Sequence, residues 1–233
     1  IEITSIADIP SQGSGLGSSS SFTVGLLNAL SAFQGKSLDQ EKLARLACKI
    51  EIDICLAPIG KQDQYGVSIP GLKKMIFQSN GDVDIKMISD KNNLYKKLEN
   101  QIILVNSNIV RSASEILSKQ KENLSKNIDS LKKFPLLVDQ FEENIKNQSF
   151  ENIHSQLNHY WEEKRTLVQS SFQKDLEKIY SHYVPQYCHA GKICGAGGGG
   201  YFMFFKKENS NLDPSKYFNI KIDRDGSVII YNN

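Results

Sequence analysis

The chain has 233 residues, of which 39% are hydrophobic and 23% charged, a composition that suits a folded globular protein and excludes intrinsic disorder. The 28 Lys and Arg residues nearly balance the 26 Asp and Glu residues, and no block of five basic residues occurs, so no partner nucleic acid or lipid surface is expected. No apolar run approaches the roughly 20 residues of a membrane-spanning helix, and the N-terminus lacks signal-peptide features. These properties predict a cytoplasmic protein.

The first part of the chain predicts a strand, a glycine-rich loop and two helices. Residues 1–8 alternate apolar and polar side chains, as a short strand does. A loop rich in Gly and Ser covers residues 10–21. The apolar residues that follow it have helical spacing and are Phe22, Leu26, Ala29, Leu30 and Phe33. A second amphipathic helix is predicted from an N-cap at Ser37 to a stop near Pro58.

The rest of the chain predicts two hairpins, a buried strand and four helices. A polar loop over residues 60–65 precedes two strands joined by a turn at residues 79–82. These strands are Lys74–Phe77 and Val83–Ile88, and a buried strand is predicted at Ile102–Val105. The helical patterns cover Arg111–Ser125, Leu131–Asn147, Phe150–Arg165 and Gln169–Tyr183. A strand at Tyr201–Phe205 and a hairpin of Ile220–Ile222 with Val228–Tyr231 close the chain.

The loop before the first helix is the first candidate site. Its small residues run directly into the helix and are Gly13, Ser14, Gly15, Leu16, Gly17, Ser18, Ser19 and Ser20. Such a turn directs backbone N–H groups and the positive end of the helix dipole at one point, which suits phosphate, and a hydroxyl there can ligate Mg²⁺. It is not a Walker A loop, because no Lys follows. The alternative is a flexible Gly/Ser linker.

A second glycine cluster lies near the C-terminus, and its central residues are Gly197, Gly198 and Gly199. Residues 195–200 match the GxGxxG pattern, but a dinucleotide-binding loop follows a strand and opens a helix. This run is predicted to follow a helix and to open a strand. It therefore suits close backbone approach to a ligand, or else a glycine-rich helix cap and tight turn.

Two acids stand outside the charged helical faces and are candidates for general-base or metal work. Glu51 is predicted near the end of a helix, and Asp63 lies in the polar loop beside Gln64. The alternative for each is a solvated surface carboxylate. Arg111 is a candidate phosphate contact or a surface residue. The segment around Trp161 and Lys164 is interpreted as a packing anchor beside a solvated helix face.

Together the two glycine motifs resemble those of the GHMP small-molecule kinases. Residues 10–19 are similar to the family's second, phosphate-binding motif, and residues 195–200 to its third motif. The segments 17–30, 60–65, 111–117 and 192–200 resemble the D-glycero-D-manno-heptose 7-phosphate kinase branch. The resemblance implies an α+β chain with the two-domain GHMP kinase architecture. Residues 1–94 would be the remainder of the N-terminal ATP-binding domain without its first segment, and residues 95–233 a ferredoxin-like C-terminal domain, with the ligand cleft between them.

The resemblance also implies roles for the candidate residues. The backbone of Gly13 to Ser19 would surround the ATP phosphates, Ser19 and Glu51 would approach Mg²⁺, and Asp63 would face the attacking sugar hydroxyl. Whether Asp63 removes the proton or only orients the hydroxyl stays open, since phosphoryl transfer depends mainly on positioning and electrostatics. Gly197 to Gly199 would shape the site from the second domain, and Gln64 and Arg111 would line the cleft.

The implied function is ATP-dependent phosphorylation of a heptose 7-phosphate at its anomeric hydroxyl, for synthesis of a nucleotide-activated heptose. The expected partners are ATP and a small-molecule sugar phosphate, and the expected state is a monomer or homodimer. One alternative is another GHMP sugar kinase of the fucose or galactose type, which would share the same motifs. The other is a non-catalytic nucleotide-binding fragment, favoured by the absence of the family's first motif and opposed by the retention of Glu51 and Asp63.

Overall fold

The computed structural model describes residues 2–8, 13–110, 132–167 and 173–231. The helix predicted at Arg111–Ser125 lies outside these ranges. The chain forms two compact units. The first contains residues 1–88 and 222–233, and the second contains residues 89–221. The boundary expected after residue 94 stays a prediction.

Helices α1 and α2 of the first unit form where the sequence predicts them, but both begin at other residues. Helix α1 (Ser18–Phe33) begins directly after Gly17. Helix α2 (Gln40–Cys48) is capped by Asp39, whose side chain accepts the Lys42 N–H at 2.8 Å. The predicted cap at Ser37 is therefore wrong, because the Asp39 carboxylate satisfies one of the free N–H groups at the helix start.

Three further predictions in this unit are corrected. Helix α2 continues into a π-helical turn (Lys49–Ile54), and the helix therefore stops before Pro58. Helix α3 (Gln62–Ser68) occupies most of the segment predicted to be a polar loop. Residues 2–8 form no strand, and all of them are exposed.

A β-hairpin completes the first unit, as predicted. Strands β1 (Lys73–Phe77) and β2 (Val83–Met87) pair antiparallel. Arg45 of helix α2 contacts Asp82 in the hairpin turn at 3.2 Å. Two apolar clusters form the core of the unit, and their buried residues lie on α1, α2, α3 and β2: Val24, Leu43, Ala44, Ala47, Cys48, Tyr65 and Val83.

The second unit is a four-stranded antiparallel sheet with helices. Its helices are α4 (Leu94–Gln101), α5 (Phe134–Asn147), α6 (Phe150–Leu167) and α7 (Gln173–Tyr183). Its strands are β3 (Ile102–Asn106), β4 (Cys188–Ile193), β5 (Tyr201–Lys206) and β6 (Phe218–Asn219). The strand order is β4-β5-β3-β6. Helix α4 was not predicted from the sequence.

Helix α6 packs against strand β4 and fills the core of the second unit. It buries Ile153, Leu157 and Trp161, which recur at intervals of four along one helix face. The Trp161 ring stacks on Tyr180 of helix α7, with ring centroids 4.8 Å apart. None of the helices that the structure describes is long and apolar enough to cross a lipid bilayer.

One hairpin is not predicted from the sequence, and one predicted hairpin is wrong. The glycine run at 195–200 was expected after a helix, but it connects strands β4 and β5, which pair antiparallel. The hairpin predicted between residues 220 and 231 is absent, since residues 220–231 contain no strand. Residues 222–231 instead pack within the first unit: Asn28 donates to the Ser227 carbonyl at 3.2 Å, and Gln40 donates to the Asp225 carbonyl at 2.8 Å.

Candidate active site

The glycine-rich loop takes a left-handed conformation at every second residue before helix α1. Gly13, Gly15 and Gly17 have φ angles of 70°, 71° and 72°, values that only glycine adopts without strain. Gly17 is the N-cap, and no side chain caps the helix. The first turn of α1 contains no acidic residue of its own, so no side chain of the helix caps its free N–H groups.

Glu51 is buried beside the start of helix α1. Its residue is only 6% exposed, because the π-helical turn places it on the core-facing side of the chain. Its Oε1 accepts a hydrogen bond from the Ser19 hydroxyl at 3.0 Å, and its Oε2 accepts one from the Ser20 hydroxyl at 2.8 Å. The carboxylate is thus fixed against two residues of the predicted phosphate loop.

Gln64 provides the third hydrogen bond to Glu51. Its Nε2 donates to Glu51 Oε2 at 2.5 Å, and its residue is 0% exposed. Its Oε1 is buried without a hydrogen-bond partner. The sequence predicted a contact between Gln64 and the substrate, which stays a prediction. The structure adds a direct role in holding Glu51, which no sequence pattern indicated.

Asp63 lies in the first turn of helix α3, next to the same end of α1. A Cβ atom built on Gly17 would lie 3.5 Å from both Cβ and Cγ of Asp63, so the Asp63 side chain lies directly beside Gly17. The residue is exposed, yet desolvation by the surrounding protein and, second, the charge of Glu51 raise the pKa of its carboxyl group. Asp63 is therefore a stronger base than a free aspartate.

The donor set at this point suits a Mg²⁺ ion shared with a nucleotide. The Ser19 hydroxyl and the Glu51 carboxylate lie 3.0 Å apart, as two ligands of one ion can. Among the described residues, no three His, Cys, Asp or Glu side chains cluster as a metal site. Mg²⁺ is usually bound by one or two protein oxygens with phosphates and water, so the pair fits the ion.

The second glycine motif forms a tight turn within the second unit. The Gly200 N–H donates to the Ile109 carbonyl at 2.8 Å, and the Ser107 N–H donates to the Gly200 carbonyl at 2.8 Å. Gly199 has a φ angle of 150°, and a Cβ atom there would lie 2.2 Å from the Ile109 oxygen. Close backbone packing therefore requires glycine at this position. The predicted contacts of Gly197 to Gly199 with a ligand stay predictions, and Arg111 lies outside the described residues.

Comparison with known proteins gives a consistent assignment of the fold. The family model described as GHMP kinases N terminal domain matches residues 1–71. A D-glycero-alpha-D-manno-heptose 7-phosphate kinase from Campylobacter jejuni is 30% identical over 92% of the chain and 62% of that protein. An L-fucokinase/L-fucose-1-P guanylyltransferase from Bacteroides fragilis is 27% identical over 89% of the chain and 22% of that protein.

A solved structure supports the same fold. The crystal structure of a D-glycero-D-manno-heptose 1-phosphate kinase from Bacteroides thetaiotaomicron has a TM-score of 0.72 and 22% identity, over 97% of this chain and 66% of that one. The chain spans less than two thirds of the length of the C. jejuni protein. These findings confirm the α+β fold class and the resemblance to the GHMP kinases that the sequence predicted.

Proposed function

We propose that the protein transfers the γ-phosphoryl group of ATP to a sugar phosphate. The GHMP kinase fold, the glycine-rich phosphate loop and the acids Glu51 and Asp63 support this proposal. One observation carries the proposal. Ser19, Glu51 and Asp63, which are separated by up to 44 positions in the sequence, all meet at the N-terminus of helix α1. That is where a triphosphate, a divalent cation and an attacking hydroxyl need to meet.

Each group has a defined task in the transfer. The left-handed glycines and the start of helix α1 bind the phosphate oxygens. Ser19 and Glu51 would hold Mg²⁺, which offsets the negative charge on the transferring group when bound. Asp63 accepts the hydrogen bond of the sugar hydroxyl, and its raised pKa favours taking up the proton as the new phosphate ester forms.

A heptose 7-phosphate is the proposed acceptor, with the anomeric hydroxyl as the attacking group. The similarity to the heptose 7-phosphate kinase from C. jejuni supports this choice. The similarity to the fucokinase from B. fragilis makes L-fucose the second candidate acceptor. We therefore place the reaction in the cytoplasm, where the sequence predicts the protein to be and where ATP and sugar phosphates would be its substrates.

An acceptor panel tests the proposal. The purified protein is incubated with ATP, Mg²⁺ and one of D-glycero-D-manno-heptose 7-phosphate, L-fucose or D-galactose, and the formation of ADP and of the phosphorylated product is measured. The highest kcat/KM is expected with the heptose 7-phosphate. A preference for L-fucose would transfer the assignment to the second candidate, and no turnover with any acceptor would refute a sugar kinase.

Replacing the proposed base tests the mechanism. Asp63→Asn keeps the shape of the side chain but removes the carboxylate, so kcat should fall by at least about a hundredfold, as for a positioned acid or base. The Kd of ATP should stay within about twofold, because Asp63 is not expected to hold the nucleotide. Asp53→Asn is the matched control, since Asp53 is exposed on the nearby π-helical turn. An ordinary kcat in Asp63→Asn would remove Asp63 from the reaction.

A further inference from the structure

Two lysines of the second unit surround one tyrosine next to the glycine turn. Lys164 lies in the last turn of helix α6, and Lys192 lies on strand β4. Their Nζ atoms are 5.8 Å and 5.1 Å from the centre of the Tyr160 ring. The sequence interpretation placed Lys164 on a solvated helix face, but the structure leaves it only partly exposed.

The glycine turn fixes Lys164 in this position. Its Nζ donates to the Gly195 carbonyl at 3.0 Å, so the ammonium group is held at the point where strand β4 enters the turn. Burial raises the pKa of the Cys194 thiol, and the positive charges of Lys192 and Lys164 oppose this rise. The positive field of the pair therefore reaches the start of the turn.

The pair has no matching negative charge among the residues that the structure describes. No salt bridge to either ammonium is found there, and no carboxylate perturbs Lys164. The neighbouring Arg165 contrasts with it, because Arg165 contacts Glu162 at 2.5 Å and Glu177 at 3.3 Å. Desolvation, and to a lesser extent the charge of Lys192, lower the pKa of Lys164. The negative charge of an anion bound here would counteract both the desolvation of Lys164 and its repulsion from Lys192.

We infer that Lys164 and Lys192 form a binding site for a phosphate group at the entrance of the glycine turn. Two ammonium groups provide charge-assisted hydrogen bonds to phosphate oxygens, and each Lys side chain retains donors beyond the contacts described above. The Tyr160 ring supports both cations through its face.

The phosphate can come from the acceptor or from the nucleotide. If the bound phosphate is the one already present on the acceptor, the site explains how a sugar phosphate is selected over a free sugar. This explanation rests on the proposed function. If it belongs to ATP, the pair contributes to nucleotide binding. Binding measurements without turnover separate these sources and do not depend on kinase activity.

The test measures ligand binding to the purified protein by isothermal titration calorimetry. Wild type, Lys164→Met and Lys192→Met are titrated with ATP, and then with D-glycero-D-manno-heptose 7-phosphate and with inorganic phosphate after saturation with a non-hydrolysable ATP analogue. Methionine keeps the apolar stem of each lysine and removes its charge. Lys174→Met is the matched control, because Lys174 is an exposed lysine on helix α7. Lys164→Arg keeps the charge if the methionine variant folds poorly.

Each methionine substitution should weaken binding about tenfold, the equivalent of one lost hydrogen bond between charged partners. Weaker binding of heptose 7-phosphate and inorganic phosphate, with unchanged ATP, assigns the site to the acceptor. Weaker binding of ATP assigns it to the nucleotide. Unchanged affinity for all three ligands in both methionine variants, with Lys164→Arg and the control also at wild-type values, would overturn the inference.

Discussion

Replacing Gln64 by methionine would separate the support of Glu51 from the chemistry of Asp63. Methionine has a similar length and volume but cannot donate to Glu51 Oε2. Gln64 is fully buried, so no water replaces the missing donor. The two serine hydroxyls remain in place and keep one hydrogen bond on each carboxylate oxygen. The substitution thus loosens the carboxylate without removing it.

Two opposing terms set the change in stability. Loss of a hydrogen bond to a charged group costs about 1.5 to 3 kcal/mol. Removal of the buried, unpartnered Oε1 of Gln64 returns about 1 to 3 kcal/mol, the desolvation cost of such a group. The free energy of unfolding of Gln64→Met should therefore lie within about 2 kcal/mol of the wild-type value. Activity has no such compensation if Glu51 holds Mg²⁺ as proposed, because residues that support a metal ligand typically contribute 10 to 100-fold in metal affinity or rate.

The assay is a Mg²⁺ titration of kcat at saturating ATP and acceptor, with urea unfolding measured in parallel. The Mg²⁺ concentration at half-maximal rate should rise about tenfold or more in Gln64→Met, while the urea midpoint changes little. Gln62→Met is the control, since Gln62 begins the same helix and is exposed. An unchanged Mg²⁺ dependence in Gln64→Met would show that Gln64 does not position Glu51 for the metal.

Three further predictions concern the two glycine motifs and Asp63. Gly17→Ala should destabilise the protein by about 1 to 2 kcal/mol, since alanine resists the left-handed backbone, and should weaken ATP binding in a calorimetric titration; equal ATP affinity would contradict the role of the loop. Gly199→Ala should lower stability by about 3 kcal/mol in urea unfolding, because its Cβ meets the Ile109 carbonyl. Asp63→Asn should raise Tm at pH 7. The raised pKa of Asp63 means that the folded state disfavours the ionised carboxylate, which lowers the free energy of unfolding. This loss of stability is absent below the unfolded pKa of 3.8 and complete above the folded pKa. A gain in Tm that persists at pH 3 would contradict that cause.

Local sequence signals predicted the first unit well where the contacts are local. The glycine loop and the start of helix α1 follow from backbone preferences within a few residues. The hairpin of β1 and β2 follows from its turn residues. The prediction of the final hairpin is wrong because non-local contacts determine the structure there. The turn at Asp223 does form, with the carboxylate accepting the Gly226 N–H at 2.7 Å, but distant contacts with Asn28 and Gln40 determine the conformation of its flanks.

Strand β4 is not predicted from the sequence, because a glycine inside a strand weakens the strand pattern. Gly191 lies inside the strand, and a Cβ there would lie 2.1 Å from the Phe204 ring on the paired strand β5. Glycine is required at this position because of a tertiary contact with Phe204, and a single sequence does not reveal that contact. In the same way, Gly66 suggested a loop around Asp63, whereas the residue is accommodated within helix α3.

The placement of Glu51 shows how the site and the core depend on the same helix face. Helix α2 buries Leu43, Ala44, Ala47 and Cys48, and Glu51 follows them one turn later on that face. A buried carboxylate is unfavourable unless donors surround it, and hydrophobic packing alone would favour an apolar residue there. Three donors from two other helices surround Glu51, and the π-helical turn that carries it is a geometry frequent at functional sites. An acid at this point of an otherwise apolar face therefore suits the metal-binding role that we propose for Glu51 at the N-terminus of α1.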